Sequence, residues 1–464
     1  MRIGVGLALA ALCAGLVVGS AQTGQRQVSL LVTGGTVVTV DAANRVIASG
    51  AVAIDGSDII AVDTAAAIGR RFRGRETIDA RGQIVLPGLI NTHTHAPMVL
   101  YRGLDDDLAL MEWLEKYIFP AEAKTVSPEF VRAGTRLAAL EMIQSGTTTY
   151  ADMYYFEEEI ARETRAAGLR GVLGQTVIQF PVADARTPAE ALTRAEAFIK
   201  AFKGDPLITP AVAPHAMYTL DAASLRAARD LSRRYGVPTL IHVAETRDEV
   251  KNAQEQFKMS PVAYLDSLGF LGPGVLAAHG VWVTEPEVLL LQSRGVGVSH
   301  NPESNMKLAS GTAPVPAYLK ANVALGLGTD GAASNNDLDM FEAMRVASLL
   351  HKLQTGDPRV VSAREALQMA TIRGARALGM ERRIGSLEPG KHADVIAVSV
   401  TGARQTPLYD PLSHLVYVAR GSDVVTSIVH GKALMRNRKV LTLNESRVLE
   451  DARNWAEKVR GAVK

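Results

Sequence analysis

The chain reads as an α/β fold: a (β/α)₈ TIM barrel with a small β-sandwich domain built from both chain ends. Three observations predict it. Short β-rich runs bounded by glycine turns crowd residues 28–87 and return after residue 393. Between them, eight apolar strand-like runs alternate with helix-patterned stretches. Histidines and acids stand where those runs end. The pattern divides the chain into a leader over 1–21, a first part of the sandwich over 22–87, the barrel over 88–385, a second part of the sandwich over 386–440, and a C-terminal helix over 441–464.

The leader begins with Arg2, followed by an uncharged apolar run over residues 3–18. Gly19-Ser20-Ala21 then offers small residues before Gln22. This is the pattern of a Sec-type signal peptide, so cleavage before Gln22 and an exported, periplasmic or secreted enzyme are expected. The alternative is an uncleaved anchor, but the run is shorter than the ~20 apolar residues of a spanning helix. Cys13 is the only cysteine. The mature chain therefore carries no disulfide, thiol nucleophile or zinc–thiolate site, and any metal must be held by histidine and carboxylate.

Strand-like runs at 29–33, 36–40, 51–54 and 58–62 are separated by turns such as Gly34-Gly35 and Asp55-Gly56. Matching runs at 393–400, 424–429 and 431–435 read as the other part of the same small unit. The barrel strands are expected at 83–90, 147–151, 169–178, 207–213, 238–243, 275–278, 296–299 and 323–327. Helices are expected between them, for example at 128–145, 158–167, 188–202, 220–235 and 261–268. A doubly wound open sheet competes, but polar residues at so many strand ends favour closure.

Composition narrows the function classes. Of 464 residues 47% are hydrophobic and 21% charged, which excludes a largely disordered chain. Lys plus Arg is 50 against 48 acids, a net charge of +2. No basic excess is available for nucleic acid or an acidic membrane. The expected partner is a small-molecule substrate, in a homo-oligomer, with no nucleic acid and no membrane after leader removal.

The strand ends carry the chemistry. The first run leads into His93-Thr94-His95, the second reaches Asp152, the fourth His215, the fifth His242 with Glu245 three residues on, the sixth His279, the seventh His300, and the eighth Asp330. Barrel active sites are built at these ends. His93 and His95 alternate on one strand and so point the same way. With His242 and Asp330 they make three imidazoles and one carboxylate, a set suited to one divalent metal, Zn²⁺ first and Fe²⁺ next. Such a set leaves room for a water whose pKa the metal lowers towards ~7. Glu245 is placed to shuttle a proton, although a helix-capping role is the plainer alternative. His279 is placed to orient water, or to serve as a further ligand. No lysine stands near Ala213-Pro214-His215, where binuclear barrel hydrolases carry a bridging one, so a single metal is expected.

These residues carry a resemblance. The segments Pro87-Gly-Leu-Ile-Asn-Thr-His-Thr-His-Ala-Pro-Met, His242-Val-Ala-Glu-Thr, Val298-Ser-His-Asn-Pro-Glu-Ser-Asn-Met-Lys-Leu and Gly328-Thr-Asp-Gly-Ala-Ala-Ser-Asn-Asn resemble the amidohydrolase superfamily. The resemblance is to its branch of methylthioadenosine/S-adenosylhomocysteine deaminases and chlorotriazine hydrolases, in order over about residues 28–440. It implies a hydrolytic deaminase of a 6-aminopurine nucleoside: 5′-methylthioadenosine, adenosine or S-adenosylhomocysteine. Hydroxide would attack C6 and ammonia would leave. The alternative it leaves open is a hydrolase of another amino- or chloro-substituted ring, as in triazine chlorohydrolases or guanine and pterin deaminases. A barrel peptidase or lactonase is disfavoured by the missing lysine, and a non-catalytic scaffold by the intact ligand set.

By resemblance, His93, His95, His242 and Asp330 are metal ligands, and Asp330 also takes a proton from water. Glu245 protonates the ring and His279 orients the water. Trp113 packs on the purine, Glu122 bonds the ribose hydroxyls, and His215 contacts substrate. Plainer readings are core packing for Trp113 and a solvated helix face for Glu122. Relatives that accept S-adenosylhomocysteine carry an arginine near the end of strand three. Gln175 is expected at that place, with Arg186 or Arg194 as substitutes.

Overall fold

The computed structural model describes residues 24–463. The expected leader lies outside these residues. Five strands open the fold: β1 (Arg26–Val38), β2 (Val46–Asp55), β3 (Asp58–Thr64), β4 (Phe72–Asp79) and β5 (Gln83–Pro87). Eight follow: β6 (Leu89–Thr94), β7 (Thr147–Tyr154), β8 (Arg170–Val177), β9 (Ile208–Pro214), β10 (Thr239–Val243), β11 (Val275–His279), β12 (Gly297–His300) and β13 (Ala324–Leu327). Four close the set: β14 (Val395–Ser399), β15 (Val424–Val429), β16 (Lys432–Arg436) and β17 (Lys439–Val440).

Strands β6 to β13 form one parallel sheet in chain order. The seam between its first and last strands is closed partly by side chains. Thr92 Oγ1 donates to the Leu327 carbonyl at 2.9 Å, and Asn91 Nδ2 donates to Thr329 Oγ1 at 2.7 Å. The Asp330 amide donates to the His93 carbonyl at 2.9 Å. Closure thus brings residue 330 beside residue 93. Ile90, Val172, Ala213, Leu240 and Leu276 pack together, with Met380 and Ile384 against them.

The two end segments hydrogen-bond as one mixed sheet of nine strands. Its join is β5, parallel to β1 and antiparallel to β14. Leu30, Val52, Ile54, Ile59, Val395 and Ile428 share its core.

Two strand expectations are corrected. The runs 29–33 and 36–40 fall on one strand, β1, which runs on through Gly34-Gly35 with an irregular register instead of turning there. The apolar run 83–90 is two strands in two sheets, divided at Gly88. The Gly88 amide donates to the Asp394 carbonyl, which ends its membership of the barrel ladder. A Cβ at Gly88 would lie 2.1 Å from Thr148 Oγ1, so only glycine lets the chain pass between the sheets here.

The helices begin at capping residues. Ser127 Oγ accepts from the Phe130 amide to start Pro128–Ser145, with Pro128 in the first turn and left-handed Gly146 after the end. Thr187 and Asp221 cap Pro188–Phe202 and Ala222–Tyr235 in the same way. The last helix, Glu445–Val463, sets Trp455 edge-on to Phe130, 5.4 Å between ring centres. No helix among the described residues is long and apolar enough to cross a membrane.

Candidate metal centre and cleft

At the C-terminal ends of the barrel strands, five side chains converge. His93, His242 and His279 offer nitrogen atoms within 4.8 Å of one another, and His93, His95 and Asp330 form an overlapping set of the same span. Asp330 Oδ1 stands 3.4 Å from His93 Nε2 and 3.3 Å from His95 Nε2. The four ligands read from the sequence are therefore together, and His279 is with them.

The surroundings fix which nitrogen each ring presents. His95 Nδ1 hydrogen-bonds the Met153 carbonyl at 2.6 Å, and His242 Nδ1 bonds the His215 carbonyl at 2.9 Å. A carbonyl only accepts, so each Nδ1 carries a proton and each Nε2 is the nitrogen turned to the centre. His93 Nε2 is buried with no hydrogen-bond partner. Burial, outweighing the pull of Asp330, pushes His93 down to about 4. Burial, with the neighbouring imidazoles, holds His242 well below the usual histidine range. Burial opposes ionisation of Asp330, but the close imidazoles of His93, His95 and His279 outweigh it and hold the carboxyl well below its usual value. Neutral imidazoles beside an ionised carboxylate are the protonation states a divalent metal requires. The donor set present fits such an ion.

Asp330 is itself held in place. Ser304 Oγ donates to its Oδ2 at 2.7 Å, and the Gly331 amide to its Oδ1 at 2.7 Å. Asp330 and His279 both take left-handed backbone, φ +67° and +72°. Such conformations in non-glycine residues are costly and are concentrated at functional sites.

Glu245 and His279 face one another beside the centre, Oε2 to Nε2 3.6 Å. Burial raises the Glu245 carboxyl, against the pull of His279. His279 moves up as well: burial lowers it, but Glu245 and Asp330 outweigh that. Asn305 Oδ1 lies 2.9 Å from His279 Nδ1 and orients the ring.

Above this floor opens a cleft. Trp113, Glu122 and His215 all line it, as expected. Trp113 and Glu122 lie on one helical segment, Leu110–Trp113 and Phe119–Thr125, joined by a π-helical turn over Leu114–Ile118. Glu122 is no solvated helix residue. It is buried, accepts from the Tyr154 hydroxyl at 2.6 Å, and burial lifts its carboxyl to about 7.

Gln175 is a correction. It is fully buried and does not line the cleft; its neighbour Thr176 does. Side chains on a strand alternate, so residue 175 points the other way. Its Nε2 donates to Asp184 Oδ2 at 2.8 Å. The proposed substitutes do not line the cleft either. Arg194 pairs with Glu158 at 2.6 Å, and Arg186 is exposed.

Several contributors were not singled out from the sequence. Ser304 and Asn305 lie inside the 298–308 segment, whose polar density was the available signal. Tyr154 and Thr176 sit on strands whose ends carried no histidine, so nothing in the pattern marked them.

Residues 84–434 match the amidohydrolase family. The chain is 47% identical over 437 residues to a 5-methylthioadenosine/S-adenosylhomocysteine deaminase of Syntrophobacter fumaroxidans, covering 94% of this chain and 100% of that one. It is 47% identical over 384 residues to a 5′-deoxyadenosine deaminase of Methanosarcina mazei, covering 82% and 88%. Among solved structures, an adenosine deaminase from Xanthomonas campestris with bound zinc superposes with a TM-score of 0.93 at 39% identity, covering 94% of this chain and 100% of that one.

Proposed function

Because the chain belongs to the amidohydrolase family, we propose that this cleft hydrolytically deaminates a 6-aminopurine nucleoside. The relatives named for that reaction, matched along most of the chain, support the reading. The observation that carries it is the pairing of a buried Glu245, whose carboxyl burial raises, with a histidine–aspartate donor set at the floor of a cleft.

His93, His95, His242 and Asp330 would hold one divalent ion, zinc in this reading. When bound, that ion supplies a Lewis acid that makes a water molecule nucleophilic near neutral pH. The side chains then divide the proton traffic. Asp330 takes a proton from the attacking water, its carboxylate steadied by Ser304. Glu245 gives its proton to the ring nitrogen as the C6–O bond forms. His279 orients the water. The C6–N bond then breaks, and the proton held by Asp330 leaves with the amine as ammonia. The C6 hydroxyl gives its remaining proton to the Glu245 carboxylate as the C6=O bond forms, which restores Glu245 and leaves the 6-oxopurine nucleoside and ammonia as products. Trp113 packs on the base, Glu122 bonds the ribose hydroxyls, and His215 contacts the substrate.

The 5′ substituent in this reading is uncharged. Phe119, Glu122 and Tyr155, which line the cleft, also line a neighbouring chamber walled by Phe180, Pro181 and Val182. The carboxylates lining the chamber are those of Glu115 and Glu122. No lysine or arginine among the described residues lines either space. A carboxylate tail would find no cationic partner there.

The test is a panel of 5′-methylthioadenosine, 5′-deoxyadenosine, adenosine, S-adenosylhomocysteine, guanine and a chlorotriazine, scored by ammonia or chloride release. The expected result is kcat/KM for 5′-methylthioadenosine at least about tenfold above S-adenosylhomocysteine, ~1.4 kcal/mol, with one metal equivalent per chain by elemental analysis. Chloride release outrunning ammonia release would overturn the reaction class. Parity between the two nucleosides would overturn the 5′ assignment alone.

A further inference from the structure

Glu249 is buried, ionisable and absent from the chemistry above. It stands in the first turn of the helix Arg247–Phe257, whose cap is Thr246. A glutamate three residues after a cap ordinarily reaches back to the cap's own amide. Glu249 reaches further. Its Oε1 accepts from the Ala244 amide at 2.9 Å, and its Oε2 from the Glu245 amide at 2.8 Å. Both oxygens are thus committed to the two residues that follow Val243 at the end of β10.

Those residues form a strained turn. Ala244 has φ +51°, left-handed for a residue with a Cβ. Its carbonyl accepts from the amides of Val281 and Trp282 at 3.0 and 2.9 Å, and the Val243 carbonyl accepts from Gly280 at 3.0 Å. The turn is therefore gripped on its amide side by one carboxylate and on its carbonyl side by the segment that follows His279. What this grip sets is the separation of Glu245 from His279, 3.6 Å.

We infer that Glu249 is a positioning residue for the deamination, holding the Val243–Glu245 turn so that the Glu245 carboxyl meets the ring nitrogen. The inference rests on the reading of Glu245 as proton carrier. A glutamine at 249 keeps the size but turns an NH₂ towards one of the two amides, so one bond is lost and the turn relaxes. Displacements near 1 Å at a reacting group cost on the order of 10²-fold in rate.

The decisive experiment is a double-mutant cycle on the metal-loaded enzyme with 5′-methylthioadenosine. Glu249→Gln is expected to lower kcat roughly 10²-fold, leave KM within about twofold, and leave the metal content unchanged. In a Glu245→Gln background the same substitution is expected to cost nothing further, because the group it positions is gone. A helix cap acting only on stability would lower the melting temperature and spare kcat. If Glu249→Gln does not fold, the cycle is run in an Ala244→Gly background, where φ +51° carries no Cβ strain, against Ala244→Gly alone. Losses that multiply in the double variant, or a Glu249→Gln enzyme within a few-fold of the parent, overturn the inference while Glu245 keeps its role. A fully active Glu245→Gln enzyme overturns both.

Discussion

Burial lifts the Glu122 carboxyl to about 7, against the hydrogen bond from Tyr154 that lowers it. The folded value lies above the ordinary 4.5, so the native state binds the extra proton between those limits. The stability this group contributes is fully present below about pH 4.5 and is lost as pH rises through about 7. Glu122→Gln removes the dependence. Its stability relative to the parent is expected to improve by up to about 3 kcal/mol between pH 4.5 and 8. Urea unfolding of the ligand-free parent and variant at several pH values checks this. Parallel profiles would mean that Glu122 ionises as if exposed. Gln175 makes the opposite point. Its place at the end of strand three was legible, but its direction was not, because the residues at that end of the run are apolar or neutral on both faces and mark no inward side. Gln175→Arg is accordingly expected to leave the ratio of S-adenosylhomocysteine to 5′-methylthioadenosine turnover unchanged; a rise would return the 5′ tail to that strand face.

Strand ends and helix starts carry the site, and most were readable from local signals. The helix at Pro128–Ser145 was anticipated to the residue, because Ser127 and Pro128 start it and Gly146 ends it. The run over 83–90 was misread because it is apolar throughout and buried in both of its sheets, so no change of period marks the division. The physical marker is Gly88, whose missing side chain matters only once Thr148 is packed against it. Gly88→Ala is expected to destabilise the protein by about 1–3 kcal/mol, the usual cost of overpacking. Its thermal midpoint should fall, and a metal-binding isotherm should weaken, since β6 carries His93 out of this corner. An unchanged midpoint would show that Thr148 moves aside freely.

Barrel and sheet are joined by a buried ion pair. Arg170 Nε meets Asp394 Oδ2 at 3.0 Å, both side chains almost wholly buried, and the His430 amide donates to the same carboxylate. Asp394→Ala is expected to cost about 3–5 kcal/mol, because it strands the arginine without a counter-charge; denaturant unfolding of the purified variant measures it, and a loss under 1 kcal/mol would mean that water reaches the guanidinium. At the chain start, the apolar run after Arg2 predicts native protein beginning at Gln22 in an exported fraction. Amino-terminal sequencing that finds Met1 in soluble cytoplasmic protein would end that reading. The sequence by itself determined the fold class and marked the candidate donor residues and Glu245, because barrel periodicity and the His-x-His, His242-to-Glu245 and Thr329-Asp330-Gly331 spacings are local properties of the chain. Only the tertiary structure decided that Asp330 lies against His93 across the closing seam, that His279 joins the donor cluster, that Thr176 rather than Gln175 faces the cleft, and that Glu249 grips the turn before its own helix. Each of these is a meeting of side chains or backbone groups brought together by closure, strand alternation or a reversed turn, and no pattern along the chain encodes such a distance.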